Sequence, residues 1–442
     1  MPLHSTSSAI SSATAVVPDD DEALLGTIER AAIGYFLQTV NPQNGLIPDN
    51  SREGSPCSIA VVGFALSAYT IAVERGWMSR DDAVERTVAA LRFFRDSDQS
   101  GNADATGYKG FYYHFLDMQS GTRVWRSELS MIDTALLLAG VLTARMYFDA
   151  NTAPESELRE IAEQLYRRVD WRWSQHEQGT IVQGWKPESG FLRYGWEGYS
   201  ESILLYVLAM GSPTYPPTDG AYKAWMATYQ WENLYNIDFL YAGPLFIHQF
   251  SHAWIDLRGI RDSFMREKRS DYFENSARAV SIQREYARRN PLEFAGYDEN
   301  CWGLTACDGP TIETAGIAAD HLRLFGYSAR GVPYGPDDGT LAGWAPLASL
   351  PFAPQAVMDA VRSMHERYPE MRPGGLYASS FNPGLIGPDG KCWVSPGLYG
   401  LDQGIVAMMI ENHRSQLIWK LMRQCPFIVT GLRRAGFRGG WL

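Results

Sequence analysis

The sequence is poor in the residues and patterns that mark several large protein classes. It has five cysteines in 442 residues, an odd number with no CxxC pair, so neither a disulfide framework nor a zinc knuckle is indicated, and we read them as buried thiols. Acidic residues outnumber basic ones by 50 to 39, which argues against nucleic acid or an anionic membrane surface as the partner. No apolar run approaches the length of a membrane span, so no membrane partner is expected.

Several catalytic motifs are also missing. There is no GxSxG, no Walker loop and no GxGxxG at a strand-to-helix turn, so serine-nucleophile, nucleotide and dinucleotide chemistry is not indicated. His248, His252 and Asp256 recur at helical spacing and form a candidate metal stripe, but the Glu of the HExxH motif is lacking. We therefore predict no metal and no cofactor, and we expect His252 to contact sugar or core.

The amino-terminal residues lack the features of a signal peptide. Residues 1–20 are small and polar, without a basic start or an apolar core. We predict a disordered lead-in over 1–20 and a single catalytic domain over 21–442, and we expect a monomer. Localisation stays open, periplasmic or secreted if a leader was removed and cytoplasmic otherwise.

Helical spacing of apolar residues dominates the chain, and alternating strand patterns are short. The candidate strands lie within 108–116 and 179–185. Candidate helices lie near 21–39, 57–75, 80–96, 129–148, 155–171, 199–210, 219–228, 242–256, 261–289, 311–325, 353–366 and 402–422. The sequence therefore predicts an all-α protein with short β-hairpins or loops.

The candidate helices are of two kinds. Some, such as 57–75 and 129–148, are apolar on nearly every side, whereas others, such as 80–96 and 155–171, are amphipathic. The first pattern indicates a helix that is buried all round, and the second a surface helix. Alternation of the two kinds predicts an inner and an outer ring of helices, an (α/α) toroid, in which all inner helices begin at the same end.

Acidic residues stand at or just before the starts of the apolar helices. They are Glu128, Asp133, Glu197, Glu201, Glu299, Asp308 and Asp402. In a toroid these starts converge on one mouth, which the irregular segments between helices would wall. Each acid alone could be a helix cap or a structural hydrogen-bond acceptor, but their number exceeds what capping requires. Such groups bind sugar hydroxyls, so we expect an oligo- or polysaccharide as the partner.

Glu201 is the first catalytic candidate. It opens an almost wholly apolar helix, and Tyr194, Trp196 and Glu197 precede it. A carboxylate in an aromatic cleft is often an active-site group, whereas a lone acid at this position would only favour the helix dipole.

An aromatic residue followed by an acid at the start of an apolar helix occurs a second time, further along the chain. Tyr399 leads to Asp402 at the start of a long apolar helix, where the helix amino terminus would keep the carboxylate ionised, as a general base requires. A loop bounded by Gly and Pro carries Glu299, Trp302 and Asp308. These side chains are candidate substrate contacts, with a structural role as the alternative for each acid.

Several long segments resemble the bacterial glucoamylase-like proteins, the group that includes glycoside hydrolase family 144, with the endo-β-1,2-glucanases and related enzymes. These segments are NPQNGLIPD, GFYYHFLDMQSGTR, SELSMIDTALLLAG, YGWEGYSESILLYVLAMGSPTYP, YAGPLFIHQFSHAWIDLRGIRD, NPLEFAGYDENCWGLTACDGP and LYGLDQGIVAMMIENHRSQLIWKLM. Together they extend over nearly the whole chain.

The resemblance implies an (α/α)6 toroid, no metal, and inverting hydrolysis of β-1,2-glucan, with endo-cleavage to short sophorooligosaccharides. It also implies that Glu201 is the general acid, that Asp402 is the base, and that Glu128 and Asp133 line the same pocket. Inversion needs an acid whose pKa is raised. Because a helix dipole lowers the pKa of both Glu201 and Asp402, we expect aromatic burial or a second acid, such as Glu197, to raise that of Glu201.

Other functions stay open on the same scaffold. One is an exo-acting, sophorose-releasing hydrolase or a β-1,2-glucan transglycosylase, and another is a non-catalytic glucan-binding protein. A polysaccharide lyase is the least favoured, because uronate binding calls for a basic cleft and the predicted rim is acidic.

Overall fold

The structure is a computed structural model that describes residues 20–311 and 324–442. The helices are α1 (Asp21–Thr39), α2 (Ile59–Glu74), α3 (Arg80–Asp96), α4 (Met131–Tyr147), α5 (Ala153–Arg167), α6 (Ile203–Gly211), α7 (Ala221–Met226), α8 (Phe250–Trp254), α9 (Ser263–Lys268), α10 (Tyr272–Arg289), α11 (Pro354–Arg367), α12 (Gly400–Arg414), α13 (Leu417–Gln424) and α14 (Pro426–Arg434). The predicted lead-in over 1–20, apart from Asp20, and nearly all of the predicted helix near 311–325 lie outside the described residues.

Short strands connect the helices. They are β1 (Cys57–Ser58), β2 (Gly107–Tyr108), β3 (Phe111–Tyr113), β4 (Phe115–Leu116), β5 (Leu129–Ser130), β6 (Gly184–Lys186), β7 (Gly190–Phe191), β8 (Trp231–Leu234), β9 (Ile237–Leu240), β10 (Ala306–Cys307), β11 (Ser328–Ala329), β12 (Phe381–Ile386) and β13 (Cys392–Val394). The prediction of a helix-rich protein with small sheets is confirmed.

Several predicted helices are confirmed with small shifts of their ends, and others are divided. The stretch 261–289 forms α9 and α10, separated at Arg269, whose backbone is left-handed with φ of 54°. The stretch 402–422 becomes α12 and α13, separated at Gln416 with φ of 61°. A residue with positive φ cannot continue a right-handed helix, and the apolar spacing alone does not reveal it. The helix α14 was not predicted.

The two kinds of helix are confirmed. Nearly every side chain of α2, α4, α6 and α12 is buried, whereas α3, α5 and α10 bury one face only. The buried helices pack on one another, α2 against α4 and α12, and α4 against α6. In the described residues, no helix combines the length and the apolar character that crossing a membrane requires.

Glycines set the closest of these helix contacts. A Cβ atom on Gly63 of α2 would overlap the backbone carbonyl of Leu136 in α4. A Cβ on Gly140 of α4 would overlap the carbonyl of Gly63. The two backbones therefore touch directly, which only glycine permits.

One antiparallel sheet positions part of the acidic cluster. Its strand order is β2-β3-β5-β6-β7, and Tyr113 pairs with Leu129 in the register between β3 and β5. The ladder continues one step further, where the His114 amide donates to the Glu128 carbonyl at 2.9 Å. Residues opposite each other on neighbouring strands point to the same face, so the side chains of His114 and Glu128 meet there.

The cysteines are buried. Cys57, Cys301, Cys307, Cys392 and Cys425 are all free and inaccessible. The prediction that they are buried thiols is confirmed.

Candidate active site

Asp133 is fixed by the start of α4. Ser130 is the N-cap residue of this helix, and its hydroxyl accepts the Asp133 amide at 3.2 Å. The same hydroxyl donates to Oδ2 of Asp133 at 2.5 Å. The cap thus holds both the backbone and the carboxylate of Asp133, which keeps 7% of its surface exposed.

Glu201 lies two residues before α6, at the end of a segment held by α8. The hydroxyl of Ser251 donates to the Glu201 carbonyl at 2.7 Å and accepts the Leu204 amide at 3.1 Å. Burial raises the pKa of Glu201 to about 7, and the charge of Asp133 adds to this rise, while a backbone N–H opposes it. A carboxyl group with this pKa is protonated in mildly acidic solution, as a general acid must be.

The carboxylate that raises the pKa of Glu201 was not the one expected. Glu197 is exposed to solvent, and its charge acts on Tyr206. Asp133, at the start of the neighbouring helix α4, acts on Glu201 instead. The expected role of Glu197 is therefore a wrong prediction, because Gly198, with φ of 75°, turns the chain between the two glutamates.

Asp402 lies in the first turn of α12, where its Oδ2 atom is buried without a hydrogen-bond partner among the described residues. Burial raises its pKa well above the usual range, the Ser379 hydroxyl opposes this, and the charges of Asp49 and Asp308 raise the pKa further. The expectation that the helix dipole lowers this pKa is wrong. The dipole offers about 0.3–1 kcal/mol at an exposed helix end, less than desolvation removes here.

Asp49 joins these carboxylates and was missed from the sequence. Burial raises its pKa, the Asn50 amide and His114 oppose this, and the charge of Asp133 raises it again. Because Coulomb interactions weaken with distance, these couplings place Glu201, Asp133, Asp49 and Asp402 in one continuous cluster. Asp49 lies in the long loop before α2 rather than beside the helix start, so the pattern that identified the other acids did not include it.

A second group of side chains borders the cluster beside Asp402. Arg52 donates to the Tyr399 hydroxyl at 3.0 Å and to Asp308 Oδ2 at 2.5 Å. The Ser395 hydroxyl donates to the same Asp308 oxygen at 2.9 Å. Burial and the charge of Asp308 raise the pKa of Tyr399 to about 12, so its hydroxyl stays protonated. Arg52 was not predicted, since a lone arginine in a loop carries no sequence signal.

Glu128 and Asp133 meet at His114. Nδ1 of His114 lies 2.9 Å from Glu128 Oε1, and Nε2 lies 3.5 Å from Asp133 Oδ2. In the described residues, these three alone bring facing atoms of the metal-ligand type within 4.8 Å of one another. Each imidazole nitrogen faces a carboxylate, so the three side chains form an ion-pair group when the ring is protonated.

Other predicted site residues lie at the surface or in the core. Tyr194 is 64% exposed, and Trp196 is half-buried with its carbonyl bound by the Tyr206 hydroxyl. Glu299 is exposed, and its carbonyl accepts a hydrogen bond from Arg284. Among the described residues, none of these side chains has a hydrogen bond, ion pair or ring contact with the acids of the cluster.

Trp302 and His252 are buried and do not offer a surface to a ligand. Trp302 is fully buried, and His252 is 1% exposed with Nε2 lying 3.2 Å from the Ser276 hydroxyl. Burial lowers the pKa of His252 to about 3, so the ring is neutral. The expected contact of Trp302 with sugar is corrected to core packing, and of the two alternatives expected for His252 the structure favours the core.

The described residues combine a helix-rich fold with a cluster of carboxylates near the starts of buried helices. Residues 193–426 match the glycoamylase family, described as "Putative glucoamylase". This match spans more than half of the chain, and the protein belongs to that family.

Individual relatives resemble it over almost its full length. A curated relative from Parabacteroides distasonis, an exo β-1,2-glucooligosaccharide sophorohydrolase acting at the non-reducing end, is 26% identical over 94% of this chain. The chain spans 58% of the length of that relative.

Two solved structures share the fold. A protein from Bacteroides uniformis, described in the same words as the family, has a TM-score of 0.84 and 28% identity, with 96% of this chain and 99% of that chain covered. An endo-β-1,2-glucanase from Chitinophaga pinensis, in complex with sophorotriose and glucose, has a TM-score of 0.81 and 24% identity, with 96% and 100% covered. The second likeness concerns the fold alone.

Proposed function

We propose that the protein is a glycoside hydrolase that cleaves β-1,2-glucan by an inverting acid/base mechanism. The observation that carries this proposal is the pairing of Glu201, whose pKa is raised to about 7, with Asp402 in one cluster of carboxylates. The named activity of the Parabacteroides distasonis relative supports the choice of substrate.

In the proposed reaction, Glu201 donates its proton to the glycosidic oxygen as the bond to the anomeric carbon breaks. Asp402 accepts a proton from a water molecule that attacks the anomeric carbon from the opposite face. Glu128 and Asp133 accept hydrogen bonds from sugar hydroxyls. The raised pKa of Glu201 fits the general acid, because it keeps a proton on this carboxyl group. Burial also raises the pKa of Asp402, so this residue acts as the base only in its ionised form.

We also propose that residues 21–442 form one (α/α)6 toroid. The buried helices α2, α4, α6 and α12 would form the inner ring, and the one-sided helices α3, α5 and α10 would belong to the outer ring. The electrostatic coupling of acids at the starts of the inner helices supports this arrangement, because such coupling needs those starts at one end.

We propose endo-cleavage that yields short sophorooligosaccharides. The exo-acting relative favours a second candidate, a hydrolase that releases sophorose from a chain end. The two candidates share the acid, the base and the bond that is cleaved, and they differ in which sugar units the cleft admits.

Incubation with linear β-1,2-glucan, followed by chromatography of early products, tests the proposal. A range of short oligosaccharides supports endo-cleavage, whereas sophorose alone from the first time point supports the exo candidate. Absence of new reducing ends contradicts hydrolysis altogether. Glu201→Gln and Asp402→Asn should each lower kcat by about 10²–10⁴-fold, the usual contribution of a general acid or base. Glu197→Gln, a change at an exposed glutamate, is the matched control.

A further inference from the structure

His114 lies between two carboxylates of the cluster and was not among the predicted site residues. Its backbone is held from both sides, since its amide donates to the Glu128 carbonyl at 2.9 Å and its carbonyl accepts the Ile59 amide at 3.3 Å. The imidazole stacks on Phe115, with ring centroids 3.9 Å apart and an interplanar angle of 13°. The position and plane of the ring are thus fixed before any ligand binds.

This fixed ring directs one nitrogen at each acid. Nδ1 faces Glu128 Oε1 at 2.9 Å, and Nε2 faces Asp133 Oδ2 at 3.5 Å. A neutral imidazole carries one N–H, so only the protonated ring can donate toward both carboxylates. The geometry therefore favours a cation at this position.

Two carboxylates held this close repel each other unless a positive charge separates them. Burial lowers the pKa of His114, but the charge of Asp133, the hydrogen bond to Glu128 and the charge of Asp49 outweigh burial and raise it to about 9. Two further cations act on the acids around the ring. Lys186 of β6 acts on Glu128, and Arg52 acts on Asp49.

Asp133 is the link between His114 and the proposed general acid. Its Oδ2 atom faces His114 and accepts the Ser130 hydroxyl, whereas Oδ1 has no side-chain partner in the described parts of the chain. The charge of Asp133 in turn raises the pKa of Glu201. A change at His114 therefore reaches Glu201 through Asp133.

We propose that His114 is a cationic positioning residue, which is held between Glu128 and Asp133, balances their charges and fixes the Asp133 carboxylate whose charge acts on Glu201. The part played in catalysis rests on the proposed hydrolase function, whereas the charge of His114 does not. A purely structural histidine at this position would be neutral and would act by packing alone.

The charge is tested by NMR titration of ring-labelled histidines in the full chain, which contains eight. The resonance that disappears in His114→Gln identifies the ring. We expect a titration midpoint near 9, and we expect Glu128→Gln and Asp133→Asn each to lower it by about 1–3 units. A ring that is neutral at pH 7, or a midpoint that neither variant moves, overturns the proposal whether or not the protein hydrolyses glucan.

The functional part is tested by kinetics on β-1,2-glucan. His114→Gln should lower kcat/KM by about 10-fold or more, because an outer-shell partner typically contributes that much, with kinetics measured at a temperature where circular dichroism shows the variant fully folded. His413→Gln, at an exposed histidine of α12, is the matched control and should leave kcat/KM unchanged. Unchanged kinetics in His114→Gln overturns the positioning role. If the wild type itself releases no sugar, the hydrolase proposal fails, and the titration still decides the charge.

Discussion

The raised pKa of Glu201 implies that this residue destabilises the fold at neutral and alkaline pH. Burial raises the pKa from 4.5 to about 7, and each unit corresponds to about 1.4 kcal/mol, so the ionised side chain costs about 3 kcal/mol of folding free energy. Because the folded-state pKa lies above that of the unfolded chain, this loss is absent below the unfolded pKa. It grows as the pH rises, and it is complete above about 7.

Replacing Glu201 by Gln removes the ionisation while keeping the shape. We expect Glu201→Gln to stabilise the protein relative to the wild type by about 3 kcal/mol at pH 8 and by less than about 1 kcal/mol at pH 5. Urea denaturation followed by tryptophan fluorescence measures both values. Glu197→Gln is the control, because that side chain is exposed, and it should show little difference between the two pH values. Equal effects of Glu201→Gln at both pH values would refute the claim that Glu201 is desolvated.

Three further predictions concern the scaffold and the extent of the site. Gly63→Ala should destabilise the protein by about 1–3 kcal/mol in urea denaturation, because the added methyl group meets the Leu136 carbonyl, and an unchanged midpoint would contradict the backbone contact. Asp338→Asn should reduce the free energy of unfolding by about 3–5 kcal/mol, because it leaves the fully buried Arg330 without its charged partner, and a loss below 1 kcal/mol would contradict this. Glu299→Gln should leave kcat/KM on β-1,2-glucan unchanged, since Glu299 is exposed and, among the described residues, has no hydrogen bond or ion pair with the cluster, and a large loss would place it in the site.

The helix pattern and the principal acids could be predicted from the sequence because both depend on local signals. Apolar residues on every side of α2 and α4 mark buried helices, which the structure confirms. That the acids beside such helices share one end of the molecule stays a prediction. Glu201 and Asp402 were singled out in this way, and charge effects link them through Asp133 and Asp49. Their catalytic roles stay predictions.

The remaining parts of the site depend on contacts between distant segments. Asp49 and His114 approach Asp133 only after folding, and neither stands at a helix start. Trp302 shows the opposite error, a core residue predicted to contact sugar, and for His252 the sequence left both positions open, because such side chains suit a sugar site and a core equally well. The spacing of residues along the chain cannot distinguish a sugar contact from a core position, whereas the burial of the side chain in the folded protein can.

The direction of the pKa shift of Asp402 could not be predicted from the neighbouring sequence either. A helix amino terminus lowers the pKa of a carboxylate, and the sequence places Asp402 at such a position. Its neighbours Asp49 and Asp308 come from other loops, and together with burial they reverse the effect. The pKa of a residue such as Asp402 therefore depends on charges that only folding brings close, and it cannot be predicted from its own helix alone.

The most direct test of the central claim is proton NMR of the sugar released in the first minutes of hydrolysis of linear β-1,2-glucan. An inverting reaction by Glu201 and Asp402 predicts that the new reducing end appears as the α-anomer and then mutarotates toward equilibrium. A reducing end that appears first as the β-anomer, or an α-anomer that forms equally fast with Glu201→Gln, would contradict the account.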